Sequence, residues 1–403
     1  METSIKINIE DFNYALPADS IAQFPIENRD HSKLLIFKDN KISEDVFFNI
    51  TKYIPSKSLL IFNNTKVIHA RLNFTKTSGA KIEIFCLEPA GDKNDMQPVF
   101  QQKGSCMWKC LVGNNKRWKS GILKINNNEL ILTAEKTKQN EESFIIQFSW
   151  EPQSLCFSEI LEIFGKVPLP PYISRNSENG DNIRYQTVFA KHEGSVAAPT
   201  AGLHFTENIL HILNSYGIKQ QYLTLHVGAG TFKPVTVQSV HEHEMHEEHF
   251  SISKQLIESI IKQEQNPIIP VGTTSLRTLE SLYWIGVKKK LKIDDNNILY
   301  QWEPYKIGKK EITIKESFSV LLDYMKASDT LIFNGSTKLI IIPGYKFKVS
   351  KGIITNFHQP RSTLLLLVSA MIGEVWKETY LYAIKNNFRF LSYGDCCLFL
   401  PNN

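Results

Sequence analysis

The sequence contains no Cys-x-x-Cys pair, no Gly-x-x-x-x-Gly-Lys phosphate loop and no apolar run long enough to cross a bilayer. The longest such run, LLLLVSAMIG from Leu364 to Gly373, is about half of the ~20 residues that a spanning helix needs. The N-terminal METSIKINIEDFNY mixes charges with apolar residues and lacks the apolar centre and small-residue cleavage site of a secretory signal. The expectation is a cytoplasmic protein that does not engage a membrane. Cys106 and Cys110 are separated by three residues, and none of Cys86, Cys156, Cys396 and Cys397 supplies the further spacing of an iron–sulfur cluster. Buried, idle thiols in a reducing compartment are expected, and no metal. A strong charge excess is missing too: 46 Lys and Arg face 41 Asp and Glu, a net charge of +5. That permits a polyanionic partner without demanding one, and excludes a strongly basic nucleic-acid domain. There is no internal repeat.

What is present describes a globular chain of 403 residues, 42% hydrophobic and 22% charged, a length for which two domains are the default. SKLLIF (Ser32 to Phe37) and KSLLIFNNTK (Lys57 to Lys66) read as buried strands. Between about Arg71 and Trp150 the period is two: AKIEIFCL, MWKCLV, GILKI, ELILT and ESFIIQFSW are strands separated by polar turns. These imply an all-β barrel over 71–150, inserted into an α/β domain formed by 1–70 and 151–403. SLCFSEILEIFG reads as a helix and VPLPPYI as an extended connector. Beyond it strands and helices alternate. Thr206 caps a helix running to Tyr216, Gly217 stops it, and QQYLTLHV follows as a strand. NPIIPVG, KLIIIPGY and FRFLSYG read as strands, SLRTLESLYWIG and STLLLLVSAMIG as helices. Such alternation predicts a mostly parallel, layered α/β sheet. The polar segment from about Tyr283 to Thr337, with Lys288, Lys289, Lys290 and Lys292, reads as a solvated insertion, with phosphate contact the alternative.

Several loops carry chemistry-bearing residues. In PVGTTSLRTLES, a strand ends at Gly272 and a helix begins near Ser275. Thr273, Thr274 and Ser275 then either hold a carboxylate or phosphate at the helix N-terminus, with Arg277 reinforcing, or simply cap the helix. LHVGAGTFKPV has Gly228 and Gly230 after a strand, but Pro234 prevents the helix of a dinucleotide fingerprint. It is either a ligand loop with His226 beside it, or a turn with a core histidine. HEHEMHEEH spaces His241, His243, His246 and His249 by two, three and three, unlike the four-residue spacing of a zinc helix. A polar helix start or lid is the preferred reading over a metallohydrolase. TNFHQPRSTLLLL offers Asn356 and His358, and LSYGDCC offers Asp395. In EGSVAAPTAGLHFT the run of small residues leaves clearance for a nucleoside beside the backbone, and His204 should line that cleft.

Taken together, GSVAAPTAGLHFT, LHVGAGTFKPV, VGTTSLRTLES, IPGYKF, TNFHQPRSTLLLLVSA and SYGD, preceded by FPIENRDHSKLLIF and NNTKVIHARL, resemble in this order the S-adenosylmethionine:tRNA ribosyltransferase-isomerase family of queuosine biosynthesis. The resemblance implies a monomeric enzyme with an inserted β-barrel. It implies S-adenosylmethionine as ribosyl-donating co-substrate and, as partner, tRNA bearing 7-aminomethyl-7-deazaguanine at the wobble position. The products would be epoxyqueuosine, adenine and methionine. The sulfonium acidifies the ribose C5′ protons, which suits a histidine base. On this reading His204 and His226 do acid–base work, and Thr273, Thr274, Ser275 and Arg277 hold the carboxylate or ribose hydroxyls. Asn356, His358 and Asp395 orient the base, and Thr200, Gly202, Phe205, Gly228, Gly230, Thr231 and Tyr345 complete the substrate site. Asn64, Lys338 and Ser350 stand where the family pattern has acids, and His69 where it has proline. These departures leave as alternatives a divergent paralogue that binds S-adenosylmethionine or RNA without this reaction, and an RNA-binding module using the barrel and the lysine segment.

Overall fold

The protein is described from a computed structural model that covers residues 7–91, 97–127, 129–140, 143–228, 235, 237–263, 265–307 and 312–402. The two fully apolar runs read as buried strands form the centres of two mixed sheets. In the six-stranded sheet the order is Ile268–Pro270, Leu59–Asn63, Lys219–Leu225, Glu248–Ser253, Ile332–Thr337, Ile298–Leu299. In the four-stranded sheet it is Ile353–Asn356, Cys396–Leu400, Lys33–Lys38, Lys41–Val46. Every residue of Leu59–Asn63 and of Cys396–Leu400 is buried, as strands covered on both faces must be. A parallel bridge from Val271 to Ile354 ties the two sheets together.

The ladders correct the expectation of a mostly parallel sheet. Those of Leu59–Asn63 with its two neighbours, Lys33–Lys38 with Cys396–Leu400, and Ile298–Leu299 with Ile332–Thr337 are parallel. The other four in these sheets are antiparallel. One of the latter is a hairpin closed by Asp39 and Asn40, both at positive φ of 51° and 56°, the turn conformation that matches strand twist.

The helices begin where hydroxyl caps place them. Thr206 accepts from the Ile209 amide, Ser362 from Leu365 and Thr313 from Glu316, and Gly217 takes φ 73° behind the helix Glu207–Ser215. Helix Thr273–Lys290 packs against Ile314–Ala327, which in turn packs against Lys254–Ile261.

Three local readings change. Helix Thr273–Lys290 runs through the start of the supposed insertion, with Tyr283, Trp284, Ile285 and Val287 buried. Lys288 is fully buried between Asp294 and Glu303, and Ile332–Thr337 is a strand of the six-stranded sheet, so the described part of 283–337 contributes to the core instead of forming an insertion, although Lys290 and Lys292 are exposed as expected. KLIIIPGY is not a strand: Ile340, Ile341 and Ile342 are buried without a ladder before the Pro343-Gly344 turn. In FRFLSYG only Phe390 makes a bridge, to Ile21. Leu391 takes φ 69°, which breaks extension, and the closing strand is Cys396–Leu400.

Residues 71–166 supply a separate seven-stranded antiparallel sheet, in the order Gly165–Lys166, Arg71–Thr75, Lys81–Pro89, Ser105–Gly113, Phe144–Glu151, Leu130–Gln139, Leu123–Asn127. Its strands alternate buried and exposed positions, as in Phe144–Glu151. They enclose a core of their own around Trp108, Trp150 and Phe157, the last from helix Phe157–Phe164. Among the described residues no ladder joins the two edge strands. All six cysteines are buried and free, as expected of idle thiols.

Candidate active site

The small-residue run Ser195 to His204 is fastened to the end of strand Lys219–Leu225. The Val196 amide donates to the Val227 carbonyl at 3.1 Å, and the Val227 amide donates to Ser195 Oγ at 3.0 Å. Pro199 then turns the chain into a 3₁₀ helix, Thr200–His204. Next to it strand Ile268–Pro270 ends, its Gly272 takes φ 91°, and helix Thr273–Lys290 starts. Between these segments, Thr355 to Gln359 and the N-terminus of helix Thr363–Ile372 lies a cleft of about 100 Å³. Ala197, Ala198, Thr200, Thr273, Thr274, Asn356, His358, Ser362 and Ser392 line it. No aspartate, glutamate, lysine or arginine is among its described lining residues. Two helices of ten or more residues present their N-termini here, which favours an anionic ligand group.

Of the residues singled out from the sequence, the structure brings Thr200, Thr273, Thr274, Asn356 and His358 together in this cleft. Gly230 and Thr231 lie outside the described residues, and Gly228 adjoins Val227, which lines the cleft. The rest stand elsewhere. Gly202 packs on Phe189, since a Cβ there would meet the Phe189 ring at 2.9 Å. Phe205 is core between Phe47 and Phe62. Ser275 is fully buried. Arg277 points away from the helix start, paired with Glu248 and donating from Nε to the Leu339 carbonyl. Tyr345 donates to Glu280 at 3.0 Å. Glu280 also accepts the amides of Lys348, Val349 and Ser350, and burial nonetheless pushes its carboxyl up.

His204 does not line the cleft. Its ring is 4% exposed, tilted against Phe47 at 5.2 Å. Nδ1 lies 2.7 Å from Ser32 Oγ, and Nε2 lies 3.1 Å from Asn356 Nδ2. Burial first, then the Arg389 charge, lowers its pKa to about 3. The Asn356 amide nitrogen also donates to the Leu391 carbonyl at 3.1 Å and the Asp395 carbonyl at 3.4 Å. Three acceptors around Nδ2 fix which way the amide points, and buried Asn356 Oδ1 is left with no partner within the protein. Asp395 accepts the amides of Lys33 and Arg389 and pairs with the Arg389 guanidinium at 3.1 Å. It orders the Tyr393-Gly394 turn and is 2% exposed. His358 bonds Thr355 Oγ1 at 3.0 Å, and burial lowers its pKa to about 3.

His226 faces the other way, into a wider polar cavity of about 800 Å³ over the six-stranded sheet, lined also by His192, Tyr222, Glu247, His249 and Asn334. Its Nδ1 is 3.2 Å from Thr65 Oγ1. The ring lies against Gly194, where an added Cβ would approach Nδ1 to 2.6 Å. Because Val227 lines the cleft and His226 the cavity, one stretch of backbone separates the two spaces. The histidine-rich run is no helix: His241 lies in a single 3₁₀ turn, Val240–Glu242, and stacks on Trp302 at 4.4 Å, while His249 belongs to strand Glu248–Ser253. Among the described residues no group of three or more His, Cys, Asp or Glu could hold a metal ion.

A family model described as queuosine biosynthesis protein matches residues 9–399. The chain belongs to the queuosine biosynthesis protein family. Relatives named S-adenosylmethionine:tRNA ribosyltransferase-isomerase include those of Halothermothrix orenii, 38% identical over 98% of this chain and 100% of the relative, and Nitrosomonas europaea, 36% identical over 96% and 95%. A solved S-adenosylmethionine tRNA ribosyltransferase from Thermotoga maritima is 27% identical over 97% of this chain and 100% of its own, with a TM-score of 0.46.

Within the queuosine biosynthesis family frame, the four departures fall outside the cleft. Asn64 lines the wider cavity and accepts the Thr224 hydroxyl at 2.7 Å, a bond a carboxylate would also accept. Lys338 pairs with Glu247 at 3.8 Å. Ser350 gives its amide to Glu280, and nothing in the structure explains His69. His192, whose strand neighbours carry no motif, lines the cavity without having been singled out, and His249, expected in a polar helix start or lid, lines it from a strand. The sequence reading also missed Ser362, although a hydroxyl directly before Thr363 and four leucines is a cap signal.

Proposed function

We infer that this chain is an S-adenosylmethionine:tRNA ribosyltransferase-isomerase acting in queuosine biosynthesis. The observation that carries the reading is the cleft itself: motifs far apart in the chain converge on one space with two helix N-termini and an unpartnered Asn356 Oδ1. S-adenosylmethionine occupies that cleft. Its methionyl carboxylate sits at the amides and hydroxyls of Thr273, Thr274, Ser362 and Thr363. An N–H donor, the adenine amine or the α-ammonium, satisfies Asn356 Oδ1, whose orphaned state would otherwise cost ~1–3 kcal/mol. The RNA nucleotide, a 7-aminomethyl-7-deazaguanine at the wobble position, enters the wider cavity, and epoxyqueuosine, adenine and methionine leave.

His226 is the base that takes the ribose C5′ proton acidified by the sulfonium, because it stands at the boundary between the two spaces. His204 and His358 do not compete for that role. Both rings are held neutral well below physiological pH, and His204 has both nitrogens engaged. His204 and Asp395 position Asn356 and its turn. The architecture fits an α/β catalytic domain of 1–70 and 151–403 interrupted by a β-barrel at 71–150, supported by the separate core of the antiparallel sheet, with helix Phe157–Phe164 packed on the barrel side. In folded His226→Ala, turnover falls roughly 10²–10⁴-fold with S-adenosylmethionine affinity unchanged. Parental turnover in that variant would remove His226 from the chemistry.

A further inference from the structure

Beside the cleft, and sharing Ser392 with it, is a small pocket into which three arginines from distant parts of the chain converge: Arg29, Arg184 and Arg389, with His204 and Tyr393 in its wall. Among the described residues, only Arg389 of the three meets a carboxylate, that of Asp395. Arg184 donates to the backbone carbonyls of Ile26 and Glu27, and Arg29 to that of Gln186 at 3.0 Å. Neutral carbonyls orient a guanidinium without cancelling its charge. Arg184 Nε is also buried with no partner. The surrounding groups register the excess: burial and then Arg184 depress the Arg29 guanidinium, and burial and then the Arg389 charge lower His204. Tyr393 and then Asp30 act the other way on Arg29, but the Tyr393 hydroxyl already donates to Asp181 and the Asp30 carboxylate already accepts the Thr206 hydroxyl. Asp181 is likewise engaged, by Arg175 and Tyr393.

We propose that this three-arginine pocket is an anion subsite that takes a phosphate of the RNA substrate and so sets the nucleotide in register with the donor cleft. The proposal rests on the reading of the chain as a tRNA-modifying enzyme. Size favours a phosphate edge over a base: the inner space is about 20 Å³, little more than the ~10–15 Å³ that a water needs. Arginine forks match phosphate oxygens in geometry as well as charge. The other anion within reach is the methionyl carboxylate of the donor, and the two sources part in the measurement.

The test uses the full chain, its substrate tRNA and S-adenosylmethionine. Parental turnover is measured first, so that failure of the enzymatic reading shows there and not in the variants. Arg29→Gln and Arg184→Gln, each checked by circular dichroism, are then compared with the parent for RNA and S-adenosylmethionine affinity across a salt series. The expected result is RNA affinity reduced roughly fivefold at low salt, with a salt slope shallower by about 0.7 per lost contact. S-adenosylmethionine affinity stays parental, and Arg29→Lys restores the slope. Unchanged RNA affinity and slope in a folded variant would overturn the subsite. Loss confined to S-adenosylmethionine would assign the anion to the carboxylate and overturn the phosphate. Should neither variant fold, neutral methylphosphonate substitutions in the RNA are bound to the parental chain. At least one near the wobble position must weaken binding, and none doing so would overturn the proposal.

Discussion

His204 carries hydrogen bonds at both ring nitrogens inside a buried site, so its protonation is coupled to folding. Its folded pKa, about 3, lies below the ordinary 6.5. The folded state therefore binds fewer protons than the unfolded chain, and the contribution is whole above about 6.5 and is lost as pH falls toward about 3. His358 behaves alike. Each ring contributes up to ~1.4 kcal/mol per pH unit in that window. Urea unfolding of His204→Gln should show a flatter stability profile between these limits than the parent, and identical slopes would contradict a neutral buried ring. Gly194 makes a second prediction. Alanine there would crowd the His226 ring at 2.6 Å and adopt φ 139°, so Gly194→Ala should lose turnover at least tenfold, as small misplacements of a catalytic group do. A steady-state assay beside a donor-binding measurement checks it, with donor affinity preserved. The candidate site was only partly legible at this scale. Thr273 and Thr274 reach the cleft from the first turn of a helix that follows an apolar strand, Asn356 and His358 from the end of another, and Thr200 from a short 3₁₀ helix. Nothing local distinguishes His204, enclosed by Phe47 and Asn356, from a cleft-lining histidine.

Helix Thr273–Lys290 shows what element-level reading gains and loses. Its start is marked by Gly272 and hydroxyls, and the structure puts it there. Its end was invisible because three consecutive lysines look solvated. The acids that neutralise Lys288, Asp294 and Glu303 come from the following loop and a later short helix. The same helix crosses Ile314–Ala327 with Gly286 against Ser317, where an added Cβ would come within 2.3 Å of Oγ and 2.4 Å of the carbonyl oxygen. Backbone cannot yield cheaply at that distance. Gly286→Ala should cost ~1–3 kcal/mol as overpacking does, read as a lower urea midpoint, although alanine is the better helix former. A midpoint at or above the parental value would mean the two helices are not in this contact. KLIIIPGY illustrates the opposite failure. An apolar run reads as a strand whether or not a neighbour exists to pair with it, and partner availability is a tertiary fact.

For the molecule as a whole, the period-two segment was legible because one face of an antiparallel sheet is buried, and the alternation of strands and helices marked a mixed α/β fold. Strand direction was not legible. Crossover helices specify parallel neighbours, but the hairpin at Asp39-Asn40 and the return of Glu248–Ser253 along Lys219–Leu225 do not follow from alternation. On the proposed reading the cleft and the wider cavity are the donor and acceptor halves of a single reaction, divided at His226 and Val227. The direct measurement is incubation of the chain with S-adenosylmethionine and tRNA carrying the aminomethyl-deazaguanine, with mass analysis of nucleosides and small products. The expected result is adenine and methionine released in step with a new epoxyqueuosine nucleoside, and none of the three when the tRNA lacks the aminomethyl group. Bound S-adenosylmethionine with no adenine released and an unaltered nucleoside would contradict it.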